Sequence, residues 1–538
     1  MSNKYKIILI FNISLTLGQN YFYKPDDWYI LSSLGSIKAI TEDNNYLYFI
    51  SNNGVYKYDK NINDLIYDYN LSTQFDFNGI IFFIYDKYRD YFWCINKEGV
   101  SFKSAISSVW REKDFDEYDI YSPSNIMDIG ISPQNIWIKY YNQNIQINPF
   151  NGNKVQFDIT IDEINLIEWN SVNNKNKDQF KISDFVIDDD SWNIGLEKIY
   201  RKDGVTLNPS FFWIDYIGNV WIGTQEGYIL SGDLYTKKLK IIKFGIQIND
   251  LLVAYFDEQN NWWFADNFFK RKNFSDLEKQ ELIPFLTSWN ENNNTWQYYY
   301  SNESNIIGNT DINKLFRKGN QLLIATMDGL LAYDIKKNDW LYLNEMHGLN
   351  DPTIWDMIEF ENSLYMATSK GINILSNYKD PIISNNKEFS YLESIEIYDL
   401  EKDSNYLYIS SMIGLFKHDI KTNRYNLISN NIFKKIKVEN DKIYGLNNQL
   451  LLITENKEEI IKDSVYDFAV CNSYIWISFL NRIKLFHIDT GETWEYTKLD
   501  GVPGNLIYAL ECDSEWVWFL TNNGIAFYNW GKYHEKIN

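Results

Sequence analysis

Residues Gln321-Leu322-Leu323-Ile324-Ala325-Thr326-Met327-Asp328-Gly329-Leu330-Leu331-Ala332-Tyr333-Asp334 decide the reading of this chain. Leu322 to Thr326 is an apolar run of strand length. Met327-Asp328-Gly329 is a tight turn, and Leu330 to Tyr333 is a return strand. Glycine suits such a turn because it takes positive φ without a Cβ clash.

The same unit recurs along the chain. Asn362 to Ile372, Asn405 to Leu415 and Asn219 to Tyr228 repeat it, and copies near the two ends lie at 45–55 and 515–525. Gly329, Gly371 and Gly414 stand 42 and 43 residues apart, and Gly54 and Gly99 stand 45 apart. A period of roughly 40–45 residues is that of a propeller blade of four antiparallel strands. Copies are expected near 37–70, 79–115, 126–158, 209–244, 249–285, 310–345, 353–390, 395–430, 434–462, 465–499 and 506–532. Residues 160–205 are irregular, either a degraded blade or an insertion. Residues 275–305 read as a smaller insertion, with a short helix from Ser275 to Leu282.

The expected fold is therefore all-β, with tandem β-propellers and about 11–12 blades in total. That number exceeds the four to eight blades usual for one ring. The chain divides into a first propeller region at 20–245 and a second at 246–538, with one large ring as the alternative. The last repeat holds three strands, and residues 27–31 are expected to supply the fourth. Such closure ties the chain ends together and removes a free sheet edge.

Composition agrees. The 538 residues include 41 Tyr, 33 Phe and 19 Trp against 9 Pro, a balance that suits pleated sheets. The net charge of −21 argues against nucleic acid or an anionic membrane surface as partner. Residues 1–19 read as a signal peptide: Lys4 and Lys6 precede an apolar stretch from Ile7 to Leu17, which is too short to span a bilayer. A first strand is the alternative. Cys94, Cys471 and Cys512 have no metal or framework spacing and read as buried small hydrophobes, with one bridge between distant repeats left open.

The run Asp215-Tyr216-Ile217-Gly218-Asn219-Val220-Trp221-Ile222-Gly223-Thr224-Gln225-Glu226-Gly227 resembles the repeat of two-component regulator propellers, whose core reads D-x-x-G-N-x-W-x-G-T-x-x-G. His347-Gly348-Leu349-Asn350-Asp351 and Asp500-Gly501-Val502-Pro503-Gly504-Asn505 resemble the linker before the next blade in that family. The resemblance implies an exported, periplasmic or extracellular propeller pair. In the family such propellers often form glycan-responsive sensors of hybrid histidine kinases. After Tyr528 about ten residues remain, so a kinase or DNA-binding segment is not expected in this chain.

One pattern goes beyond blade packing. Trp355, Tyr398, Tyr466 and Tyr508 occupy equivalent repeat positions, as Phe211 does, and the first three precede Asp356, Asp399 and Asp467. Asp128 repeats the carboxylate without the aromatic. The propeller reading puts these positions at the start of the innermost strand, beside the central channel. The aromatics could wedge between blades while the carboxylates cap turns. Alternatively, aromatic faces and carboxylates at one mouth could bind a sugar, a peptide or a cation. His347 lies in a blade-linking loop near that mouth, and His418, His487 and His534 form no H-x-x-x-H pair with it or one another. Asp188-Asp189-Asp190 lacks the alternation of a calcium loop. No catalytic constellation, metal motif or cofactor motif is found. The expected role is a non-enzymatic binding or scaffold protein for a glycan, peptide or protein partner. The alternatives are a polysaccharide lyase or hydrolase and a component of a cell-surface or secretion complex. The sequence leaves the oligomeric state open.

Overall fold

The computed structural model describes residues 28–534, apart from 73, 74, 76, 78, 108, 157–160, 171–180, 202–205, 243, 247–250, 267–283, 301–309, 379–382, 386, 455, 456, 498, 499, 501 and 503–505. The expected signal peptide, the short helix at 275–282 and most of the Asp500 to Asn505 linker lie outside the described residues.

The turn at Met327 to Gly329 and several of its copies are built in one way. Thr326 Oγ1 donates to the Gly329 carbonyl at 2.8 Å and accepts from the Asp328 N–H at 2.9 Å. Thr368 with Gly371, Ser411 with Gly414, and Thr521 with Gly524 repeat the hydroxyl staple at 2.7, 2.7 and 2.9 Å. Gly329 sits at φ +109, and a Cβ there would meet the Leu343 carbonyl oxygen at 2.6 Å. The D-x-x-G-N-x-W core is likewise structural. Asp215 accepts from the Asn219 N–H at 2.8 Å and the Trp221 indole N–H at 3.0 Å, and Asp257 does the same for Asn261 and Trp263.

Among the described residues the strands form twelve sheets: ten of four strands, one of five and one of three. Seven make a closed ring. Their innermost strands are Leu251–Phe256, Ile312–Lys318, Ile354–Phe360, Ile397–Lys402, Lys435–Glu439, Asp467–Cys471 and Ile507–Cys512, which head blades 1 to 7. Each inner strand packs on the next, and blade 7 packs back on blade 1. Trp28–Ser32 pairs antiparallel with Gly524–Asn529, so the chain start supplies the outer strand of blade 7. Trp28 is buried there and stacks on Tyr528 at 4.7 Å.

Two readings need correction. Leu286–Asn290 and Thr295–Tyr299 are the third and fourth strands of blade 1, so this stretch belongs to the blade and not to an insertion. The pairing of Trp262 with Trp289 and Phe264 with Thr287 places the inserted residues between the second and third strands. Cys471 and Cys512 are joined in a disulfide between the inner strands of blades 6 and 7, whereas Cys94 is free and buried. The two sulfurs are 41 residues apart in sequence, which hides their adjacency until neighbouring blades pack.

The other sheets form an arc. The inner strands Pro209–Ile214, Ile37–Glu42, Phe82–Asp86 and Ile126–Ile131 pack in that order. The irregular segment is built around this arc. Glu168–Trp169 pairs with the inner edge of Ile126–Ile131. Val186–Ile187 adds in parallel to the outer strand Lys238–Ile242. Trp192–Ile194, Ile199–Arg201 and Thr206–Leu207 form the three-stranded sheet. The Tyr29 ring stacks on Trp289 at 5.5 Å, and Tyr298 Oη donates to the Gly245 carbonyl at 2.9 Å, so blade 1 meets both the closing strand and the end of the arc.

Candidate functional site

Five of the seven inner strands, those of blades 1 to 4 and 7, begin with a bulge. Ile354 faces Thr368 and Asp356 faces Ala367, which leaves Trp355 as the extra residue. Tyr398 and Tyr508 hold the same position in blades 4 and 7. A bulge twists the strand and re-aims its neighbours. Trp355, Tyr398 and Tyr508 are half-buried here and Tyr466 is 52% exposed, so one mouth of the ring is rimmed by four aromatics. Trp355 Nε1 donates to Ser369 Oγ at 3.1 Å and Tyr398 Oη to Glu396 at 3.1 Å.

The following position carries the charges. Asp356 accepts from the Leu400 N–H of blade 4 at 3.0 Å. Asp399 accepts from the Ile436 N–H of blade 5 at 2.6 Å, and Asp467 from the Leu510 N–H of blade 7 at 2.7 Å. Each aspartate thus ties its blade to the next. Lys314 and Lys435 occupy this position in blades 2 and 5 and pair with the aspartates of the following blades, Asp356 and Asp467, both at 2.9 Å.

One step further in, ion pairs cross the channel. Lys437 lies 3.4 Å from both Glu401 and Glu511, and Lys435 lies 3.4 Å from Glu511, so blade 7 reaches blade 5. A cavity of about 290 Å³ lies beside this brace. Its lining mixes apolar residues, among them Tyr255, Phe316 and Ile358, with the charged Lys314, Asp399, Glu401 and Lys402.

The electrostatics follow from this crowding. Burial, and then the neighbouring Asp356, push the Asp399 carboxyl well above the usual carboxylate range. Burial pushes Glu511 in the same direction, but Lys435 and Lys437 outweigh it and hold the group down to about 2. Asp356 raises Lys314 against the effect of burial, and Glu511 does the same for Lys437. In a low-dielectric channel such pairs keep their charge only because each has a partner.

Of the residues singled out from the sequence, the structure brings Trp355, Asp356, Tyr398, Asp399, Tyr466, Asp467 and Tyr508 to one ring. Asp128 is buried at the bulge of Ile126–Ile131, in the arc and apart from them. His347 is exposed in the 3₁₀ turn Glu345–His347, where its Nδ1 accepts from the Asn344 N–H at 3.2 Å in a capping box. It is a turn residue, set by the turn's own backbone. Asp189 accepts from its neighbour Ser191, as a surface turn does.

Lys314, Glu401, Lys435, Lys437 and Glu511 escaped the sequence reading. A signal existed for one of them. Lys314 stands fifteen residues before Gly329, as Asp356 stands before Gly371 and Asp399 before Gly414. The others depend on which strands face each other across the ring. Among the described residues, no group of three or more His, Cys, Asp or Glu could hold a metal ion, and no helix is long and apolar enough to cross a membrane.

Fold and site together define an all-β protein of four-stranded antiparallel propeller blades with a charge-lined channel. No protein-family profile matches the chain, and sequence comparison with curated proteins found no match. Among solved structures it is similar to the extracellular domain of BT4673 from B. thetaiotaomicron, at 14% identity and a TM-score of 0.42 over 90% of this chain and 74% of that one. It is similar to the extracellular domain of the BT3049 hybrid two component system of the same organism, at 12% identity and a TM-score of 0.42 over 93% and 76%. It is also similar to AFV00434, an ancestral GH74 enzyme, at 12% identity and a TM-score of 0.41 over 91% and 78%.

Proposed function

We propose that this chain is an exported, non-enzymatic binding protein that holds a glycan at the aromatic mouth of the seven-blade ring. The observation that carries this reading is the set of four aromatics at equivalent repeat positions, three of them at bulges, in a ring whose channel holds a cavity lined by both apolar and charged side chains. Aromatic faces cover the apolar faces of a sugar ring, while carboxylates and ammonium groups meet its hydroxyls. Export agrees with the Cys471–Cys512 disulfide, a bond that persists in oxidising compartments. The reading treats the chain as two propeller units, 20–245 and 246–538. Asp356, Asp399 and Asp467 support the site as blade ties.

The test is a glycan-array screen of residues 20–538 beside a Trp355→Ala/Tyr398→Ala/Tyr466→Ala variant and a Tyr425→Ala control on the outer surface. Binding by the wild type and the control, lost in a triple variant of unchanged circular dichroism, supports the reading. Binding that survives the triple variant moves the site elsewhere. An array with no bound glycan rejects a sugar ligand and leaves a peptide or protein partner for this mouth.

A further inference from the structure

Asp356, Asp399 and Asp467 are equivalent in the repeat and in their bonds to the next inner strands, but not in their charge partners. Asp356 pairs with Lys314 and Asp467 with Lys435, both at 2.9 Å. In each case the lysine holds the same strand position in the preceding blade. The blade before Asp399 is blade 3, and there that position is Asp356 itself. A carboxylate thus stands where the other two aspartates have an ammonium group. Asp399 Oδ2 accepts from the Ile436 N–H at 2.6 Å. Among the described residues Oδ1 has no hydrogen-bond partner and no ammonium lies within ion-pair distance, yet the side chain lines the channel cavity of about 290 Å³.

The charges that act on Asp399 are committed elsewhere. Lys314 and Lys437 favour its ionised form, but Lys314 is paired with Asp356, and Lys437 with Glu401 and Glu511. Lys402, also in the lining, donates to the Glu359 carbonyl. Burial and the charge of Asp356 therefore prevail and keep the Asp399 carboxyl well above the usual carboxylate range. A cation placed at Oδ1 reverses that balance and lets the group ionise.

The rest of the cavity fits the body of an organic cation. Tyr255 and Phe316, whose ring centroids lie 6.5 Å apart, share the lining with Met357 and Ile358. Aromatic faces attract ammonium groups and cover carbon chains alike. The volume admits a ligand of about ten non-hydrogen atoms. A metal ion would need more oxygen ligands than Asp399 and its already bonded neighbours supply. The net charge of −21 draws cations toward the molecule.

We propose that the channel cavity binds a small primary amine, its ammonium group on Asp399 Oδ1 and its carbon body against Tyr255, Phe316 and Ile358. The bound amine keeps its proton, and Asp399 gives its own to solvent. This site is separate from the glycan site at the mouth and stands or falls without it.

Isothermal titration calorimetry on residues 20–538 tests it, with primary amines from ethylamine to 2-phenylethylamine and with the neutral isostere 2-phenylethanol. Phosphate and HEPES buffers, which differ in heat of ionisation, report the protons exchanged. The amine series is expected to bind, with 2-phenylethanol weaker by about tenfold or more and protons released only by the amines. D399N keeps an acceptor for the Ile436 N–H and is expected to lose both the proton release and about tenfold or more in affinity. Unchanged circular dichroism in D399N excludes misfolding as the cause. A wild type that binds none of the amines overturns the proposal. So does an alcohol that binds as well as its amine, or a D399N variant that binds the amines as tightly as the wild type.

Discussion

In the seven-blade ring the innermost strands face an open channel and answer one another with charges. In the arc the inner edge of Ile126–Ile131 is taken by Glu168–Trp169, two residues of the irregular segment. The repeat is the same in both regions, with the same turns and the same bulge at Ile126 and Asp128 as at Ile354 and Asp356. What differs is the environment of the inner edge. Where blades close into a ring, inner strands from non-adjacent blades come within reach, and Glu511 can serve both Lys435 and Lys437. Along the arc, ties run between neighbours: Arg89 joins Asp86 at 2.6 Å and donates to the Pro133 carbonyl at 2.6 Å, and Trp213 Nε1 donates to Glu42 at 3.1 Å. A channel site thus depends on closure, and closure depends on residues at opposite ends of the chain.

The largest expected effect comes from breaking that closure. Trp28→Ala removes a buried indole that packs on Tyr528, Tyr496 and Phe519 and should cost about 3–5 kcal/mol. Equilibrium denaturation would register it as a lower midpoint. A loss below 1 kcal/mol would mean that the ring holds without its closing strand.

Next comes the covalent tie. Replacing Cys471 and Cys512 by Ala frees a loop of 41 residues, worth about 4 kcal/mol in chain entropy. Thermal unfolding with and without reductant should show the same drop for the wild type and no further drop for the variant.

The channel charges should give smaller effects of opposite pH dependence. Glu511→Gln leaves Lys435 and Lys437 short of a partner and should cost about 1–2 kcal/mol at neutral pH, less than a fully buried pair because 34% of the Glu511 side chain stays exposed. Its folded-state pKa is depressed to about 2, so its contribution is complete above the ordinary glutamate range and disappears as pH falls toward 2. Asp399 has the opposite sign. Its folded-state pKa is raised, so its contribution is present below the ordinary aspartate range and lost as pH rises. Asp399→Asn keeps an acceptor for the Ile436 N–H and should therefore gain on the wild type as pH rises. Urea titrations from pH 4 to 8 would reveal a gap that fails to widen, if the group is in fact charged without penalty.

The smallest effect belongs to the arc. Glu168 meets Lys87 at 2.6 Å and Tyr88 at 2.7 Å at an exposed surface. Glu168→Gln should cost less than about 1 kcal/mol. A cost matching that of Glu511→Gln would erase the energetic contrast between the two regions.

Much of the fold was legible because a blade is a local object. Its turns are hydroxyl and glycine staples within three residues, and its strands pair with their sequence neighbours. The start of the inner strand was also legible, since Trp355, Tyr398, Tyr466 and Tyr508 recur in register. The third and fourth strands of blade 1 are not legible because an inserted segment interrupts the hairpin that defines the repeat, between its second and third strands. His347 looks chemical in the sequence because it lies near a mouth, and the structure adds that its Nδ1 serves the turn that contains it.

By itself the sequence determined the repeat, its strand order and the places where aromatics and carboxylates recur, all of which depend on separations shorter than a blade. Only the tertiary structure decided that Asp356, Asp399 and Asp467 bind the backbone of the next blade, that Cys471 meets Cys512, and that Glu511 crosses the channel to Lys437. These contacts join residues brought together by the rotation from one blade to the next and by ring closure, and neither leaves a periodic mark along the chain.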